Sequence, residues 1–125
     1  MRLLIDSHAF LWWRAGSRSL SAVARNVIAD PVNEVLISIA ALWELTIKEA
    51  AGQLRFTPDL ETMISDERFS VLPVNFMHLR RLGTLPRGRH RDPFDRMMIA
   101  QALAEGIPIA TGDPIFAAYG VQIIW

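Results

Sequence analysis

Short apolar runs alternate along the chain with segments of helical period. The run at 3–5, inside RLLID, predicts a buried first strand over 2–6. A short helix follows through Phe10 and Trp13, and Ser19 or Ser21 caps a second one ending near Asp30–Pro31. EVLIS at 34–38 predicts the second strand, and Ser38 caps an apolar helix over 39–51, stopped by Gly52. Thr57–Pro58 offers a cap and an N1 proline for a helix to about Glu67. FSVLPV at 69–74 predicts a third strand. Asn75 caps a helix to about Leu82, with Gly83 as its end. After the loop GTLPRGRHR, Asp92–Pro93 opens a helix to Glu105, closed by Gly106. IPIAT at 107–111 predicts a fourth strand, Asp113–Pro114 a short helix, and VQII at 121–124 a last strand. Strands separated by helices imply parallel pairing through right-handed crossovers, hence an α/β fold with helices on both faces of one sheet.

Composition narrows this picture. At 125 residues and 51% hydrophobic content the chain reads as one domain over 1–125, not a disordered segment. With no cysteine, disulfides, thiolate metal sites and cysteine nucleophiles are excluded. The longest apolar stretch, 35–47, is broken by Glu44 and too short to span a bilayer, so no membrane role is expected. MRLLIDSHAF lacks a signal-peptide pattern, which makes a cytoplasmic protein the expectation. The 13 basic and 13 acidic residues cancel, and every basic residue but Lys48 is arginine. The segment 77–91 holds Arg80, Arg81, Arg87, Arg89 and Arg91 with His78 and His90 and no acid. That clustering suits an anionic polymer, although the charges by themselves read first as a solvated face.

In a parallel sheet, ligands bind beyond the carboxyl ends of the strands. Asp6 closes the first predicted strand and Asp113 follows the fourth; Asp92 and Asp95 open a helix, and Glu44 lies within one. Carboxylates that converge repel each other unless a cation joins them, and an all-oxygen site selects Mg²⁺ or Mn²⁺. Each acid also has a structural explanation. Asp6, Asp92 and Asp113 are natural helix caps, Asp95 complements a helix dipole, and Glu44 has Lys48 at i,i+4.

The order of the acids and their flanking segments carry a resemblance. LLIDSHAFLWW, SIAALWELTIK and HRDPFDRMMIAQALAEGIPIATGDPIF resemble the motifs of PIN-domain ribonucleases, in particular the VapC-type toxins of bacterial toxin–antitoxin pairs. The first motif ends in Asp6, the second holds Glu44, the third begins at Asp95, and the fourth is Thr111–Gly112–Asp113. The resemblance implies a three-layer α/β/α PIN-like domain with a central parallel sheet. It implies an acidic pocket of Asp6, Glu44, Asp95 and Asp113 binding Mg²⁺ or Mn²⁺, with Thr111 in support. It implies endoribonuclease hydrolysis of RNA, a homodimer, and inhibition by a small antitoxin protein. Arg87, Arg89 and Arg91, just before the acidic helix, are placed to contact RNA phosphates. Asp92 is the departure, a second acid in DPFD. It reads as a cap or an outer support, with a direct reach to the metal as the other reading.

Two other classes compete. A phosphoacceptor signalling domain wants paired acids after its first strand and a late lysine; here Asp6 stands alone and the lysine is Lys48. A non-catalytic RNA-binding domain would be expected to have lost an acid. His8 reads as a packed or surface histidine, and His90 as a phosphate contact or a solvated loop residue. Trp12, Trp13 and Trp43, at helical spacing, read as core or dimer interface in preference to base-stacking surfaces, and Trp125 has no clear role.

Overall fold

The computed structural model describes residues 1–88 and 90–125. Leu3, Leu4 and Ile5 of strand β1 (Arg2–Ile5) are all fully buried. Successive strand residues face opposite sides, so both faces of the sheet are covered, as a parallel sheet requires. The other strands are β2 (Glu34–Ser38), β3 (Ser70–Leu72), β4 (Ile109–Ala110) and β5 (Ile123–Ile124). All pair in parallel, in the order β3-β2-β1-β4-β5. The result is the expected three-layer α/β/α architecture.

Among the described residues six α-helices connect them: α1 (Ser7–Ala15), α2 (Ala22–Ala29), α3 (Ile39–Ala50), α4 (Leu60–Asp66), α5 (Phe76–Thr84) and α6 (Pro93–Glu105). A 3₁₀ helix covers Pro114–Tyr119. The caps explain most boundaries. Asp6, Ser21, Ser38, Asn75 and Asp92 each accept a backbone N–H of the first turn that follows. Ser7 lies inside α1 and does not cap it.

Some expected boundaries move. Asp59, not Thr57, caps α4, and the Thr57–Pro58 peptide is cis. Helix α5 runs through Gly83 to Thr84, its Asn75 cap closed reciprocally by His78 Nδ1. β4 and β5 form only two ladder residues each, where the apolar runs predicted five and four. Beyond those residues the pairing thins to single bonds: the Pro108 carbonyl accepts the Leu4 N–H and the Gln122 carbonyl accepts the Ile109 N–H, while Val121 is buried without a place in the ladder.

Helix α6 packs on α5, α3 and β1, and α3 also meets α1. Gln101 in α6 accepts from Ser38 Oγ at 2.5 Å and donates to the Pro73 carbonyl, tying α6 to the carboxyl end of β2. The helices that carry Glu44 and Asp95 therefore share one buried polar link. Among the described residues no helix is long and apolar enough to cross a membrane.

Candidate active site at the switch point of the sheet

From β1 the chain builds outward to β2 and β3, then returns to build β4 and β5 on the other side. The crevice between β1 and β4 is therefore the switch point at which such sheets bind ligands. The Ile5–Ala110 register sets Asp6 beside Thr111, and the Asp6 N–H donates to the Ala110 carbonyl at 3.2 Å. The Thr111 hydroxyl donates to Asp6 Oδ2 at 2.5 Å and accepts the Asp113 N–H at 3.1 Å. Asp6 Oδ1 accepts the Ala9 N–H at 2.7 Å. Asp6 is only 6% exposed and Thr111 fully buried, while Asp113 is exposed and caps the 3₁₀ helix. Burial pushes the Asp6 carboxyl above its usual range. The bonds from Thr111 and Ala9, and nearby His8, pull it down, and the Asp113 charge adds to the rise.

A second group forms at the start of α6. Asp92 Oδ1 accepts the Phe94 and Asp95 N–H groups at 2.9 and 3.0 Å, so Asp92 is the cap it was expected to be. Asp95, in the first turn, is half-buried. Burial pushes its carboxyl up to about 6, against a hydrogen bond from His90, and the charges of Asp92 and Glu44 push the same way. His90 Nε2 lies 2.8 Å from Asp95 Oδ2, and with Asp95 ionised the ring N–H is the donor. Glu44 is half-buried on α3, close enough for its charge to act on Asp95. Lys48, its i,i+4 neighbour, makes no ion pair with it among the described residues.

Asp6, Thr111 and Asp113 are thus brought together, as are Asp95, Glu44 and Asp92. Among the described residues, no three His, Asp or Glu side chains are drawn into a ready metal cluster. The donor chemistry nonetheless fits a hard divalent cation. The candidate ligands are all oxygens, and burial has made ionisation costly for two of them. Arg87 and Arg91 are exposed and, with His90 and Arg96, line an open cavity of about 520 Å³. Arg89 lies outside the described residues. Arg96 donates to the Pro86 carbonyl and to Tyr119, fastening this loop to the 3₁₀ helix.

The sequence reading missed His90 as a partner of Asp95 and left Trp125 without a role. Only the folded loop shows the first, and no local pattern announces the second. Trp13 packs against the core and donates to Glu67, as a structural tryptophan should. Trp43 departs from the core reading: it is 63% exposed, with its ring edge-to-face on Phe94.

The family model of the PIN domain matches residues 3–122. No curated protein matches the sequence. Among solved structures, VapBC-1 from nontypeable Haemophilus influenzae aligns at TM-score 0.72 and 20% identity, covering 98% of this chain and 96% of that one. VapBC2 from Rickettsia felis, bound to a DNA fragment from their promoter, aligns at 0.69 and 15%, covering 98% and 97%. FitAB bound to an IR36 DNA fragment aligns at 0.67 and 14%, covering 98% and 93%. At these identities the likeness is one of fold.

Proposed function

This chain belongs to the PIN-domain family, and from that premise we propose that it is a metal-dependent endoribonuclease, the toxin of a toxin–antitoxin pair. The observation that carries the reading is the buried Asp6 carboxylate, held by Thr111 at the switch point beside Asp113. A buried acid with a raised proton affinity is an unfavourable arrangement for a mere helix cap, which exposed aspartates provide readily. It becomes favourable when a cation is its partner.

Asp6 and Asp95 would hold Mg²⁺ or Mn²⁺, Asp113 would complete the site, and Glu44 would ligate or orient the attacking water. When bound, such an ion supplies an acidified water and charge stabilisation at phosphorus. Thr111 fixes the Asp6 carboxylate. Arg87, Arg91 and Arg89 would contact RNA phosphates and bring the backbone to the acids. Water adds across the bond between phosphorus and the 3′-oxygen, leaving a 3′-hydroxyl and a 5′-phosphate. The structural neighbours carry the names VapBC and FitAB, which supports an antitoxin protein as partner. A homodimer belongs to the same reading.

The test is cleavage of a mixed RNA pool by purified protein freed of any partner. The reading expects cutting with Mg²⁺ or Mn²⁺, none with EDTA, and none by Asp6→Asn. Cutting that survives both would overturn it. Intact RNA beside folded, metal-binding protein would favour a binding domain instead.

A further inference from the structure

Aromatic rings wall one side of the acidic crevice. His8 and Trp12, one turn apart on α1, stack with centroids 5.8 Å apart and planes 22° apart. Trp12 in turn meets Trp125 at 5.8 Å and 52°. The Trp125 indole lies directly over Gly112, where a Cβ would come within 2.8 Å of Cε2 and Cζ2. Gly112 is thus required by close approach, and the glycine between Thr111 and Asp113 is what lets an indole reach the site. These rings, with Asp6 and Asp113, line a cavity of about 370 Å³. Both indoles are half-buried and His8 is exposed.

Both indoles pack against the core and also border the two carboxylates. The occupant that suits this wall is flat and polarisable and carries no negative charge on its ring, so that it gains from stacking and is not repelled by the acids. An apolar partner side chain would desolvate Asp6 and Asp113 without compensation. We propose that His8, Trp12 and Trp125 form a nucleobase subsite, on which the unpaired base next to the scissile phosphate stacks. Stacking on tryptophan tolerates any base, so the subsite recognises single-stranded RNA without fixing its sequence. The inference rests on the nuclease reading and extends it to the substrate's form.

The test measures binding of short oligo(U) and oligo(A) RNA, and of an abasic oligomer of equal length, to the full chain. An Asp95→Asn background keeps bound RNA from being cut. Trp125→Leu and Trp12→Leu are each expected to weaken the base-bearing oligomers by roughly 10-fold or more while leaving the abasic one unchanged. Gly112→Ala, which displaces Trp125 but retains every indole, should give the same pattern. Together with Trp125→Phe, which should bind with an intermediate loss, it carries the test if Trp125→Leu fails to fold. Equal binding of base-bearing and abasic oligomers by the parent chain would overturn the subsite alone. Arginine amide, titrated beside the oligomers, stands in for a partner's planar cationic side chain; its loss of binding in the tryptophan variants, with RNA binding untouched, would overturn the subsite in favour of a protein partner. If no oligomer binds at all, the RNA reading falls and takes the subsite with it.

Discussion

Asp6 and Asp95 are both carboxylates at the start of a helix, and burial raises the proton affinity of both, yet the chain holds them by different means. Asp6 is fixed by the sheet. Its neighbour across the β1–β4 register donates one bond, the backbone of α1 donates another, and the residue is 6% exposed. Asp95 is held from a loop. Besides its place in α6, its carboxylate has His90, five residues earlier, and its side chain is 21% exposed. The first acid is preorganised by strand pairing and cannot move without disturbing the sheet. The second can change partner by a loop movement. A cation arriving at the crevice would meet one fixed ligand and one that must leave a histidine.

The largest effect is expected at Asp6. Asp6→Asn should reduce RNA cleavage on the order of 10³-fold, because the charge proposed to anchor the ion would be gone. The fold should survive. Asparagine remains a good N-cap, and removing a buried charge offsets the loss of one of two accepted bonds. A melting temperature within about 5 °C of the parent, beside lost cleavage, is the expected pair of readings. A collapse of stability would mean that Asp6 is structural.

Thr111→Val tests what the fixed half owes to its hydroxyl. The variant leaves a buried carboxylate one donor short and the Asp113 N–H without its acceptor, so it should cost about 1–3 kcal/mol of stability. Activity and metal affinity should fall by roughly 10–100-fold, and Thr111→Ser should restore most of both. If valine lowers stability but leaves metal affinity intact, Thr111 serves the fold and not the site.

The loop-held half answers to pH. Burial pushes the Asp95 carboxyl up to about 6 in the folded chain, above the usual carboxylate value of about 4. The folded state therefore binds this proton more tightly than the unfolded state. The stability that Asp95 contributes is present below about 4 and is lost as pH rises through about 6, the reverse of a salt-bridged carboxylate. With Asp95 as the proposed metal ligand, metal binding would run the other way, since only the ionised acid can ligate. Mn²⁺ affinity should thus fall as pH drops through about 6, while the metal-free chain gains stability over the same window. His90→Ala removes a bond that favours the ionised form, so the acid limb of the metal-binding profile should move upward in pH. A profile unchanged in His90→Ala would mean that the contact does not govern Asp95.

The same contrast explains what could be read from the sequence. Asp6 and Asp113 stand out because a strand end followed by a cap is a local pattern, and strand register then does the rest. The Asp92–Pro93 signal located α6 for the same reason. The His90–Asp95 contact depends on how a loop without regular structure folds back, which no periodicity encodes. The Trp125–Gly112 contact joins residues brought close only by the β4–β5 pairing. Local signals also misplace boundaries when two compete, as Thr57–Pro58 and Asp59 do ahead of α4. Burial was legible in 107–111 and 121–124, whereas the ladder length was not, because an apolar run records enclosure and says nothing of hydrogen bonding.

The smallest expected effect lies at the outer edge of the loop-held half. Arg87 and Arg91 are exposed and line the open cavity beside His90, so each would meet a phosphate in water, where a single contact is weak. Arg87→Gln and Arg91→Gln should each lower RNA affinity only a few-fold, uniformly across sequences, and leave Asp95 and its pH profile in place. Their signature is in the salt dependence. Each lost phosphate contact should reduce the slope of log affinity against log salt by about 0.7 for a single strand. A variant that weakens binding without changing that slope has perturbed the loop and with it His90. The pH profile would then shift as in His90→Ala, which separates a lost phosphate contact from a displaced loop.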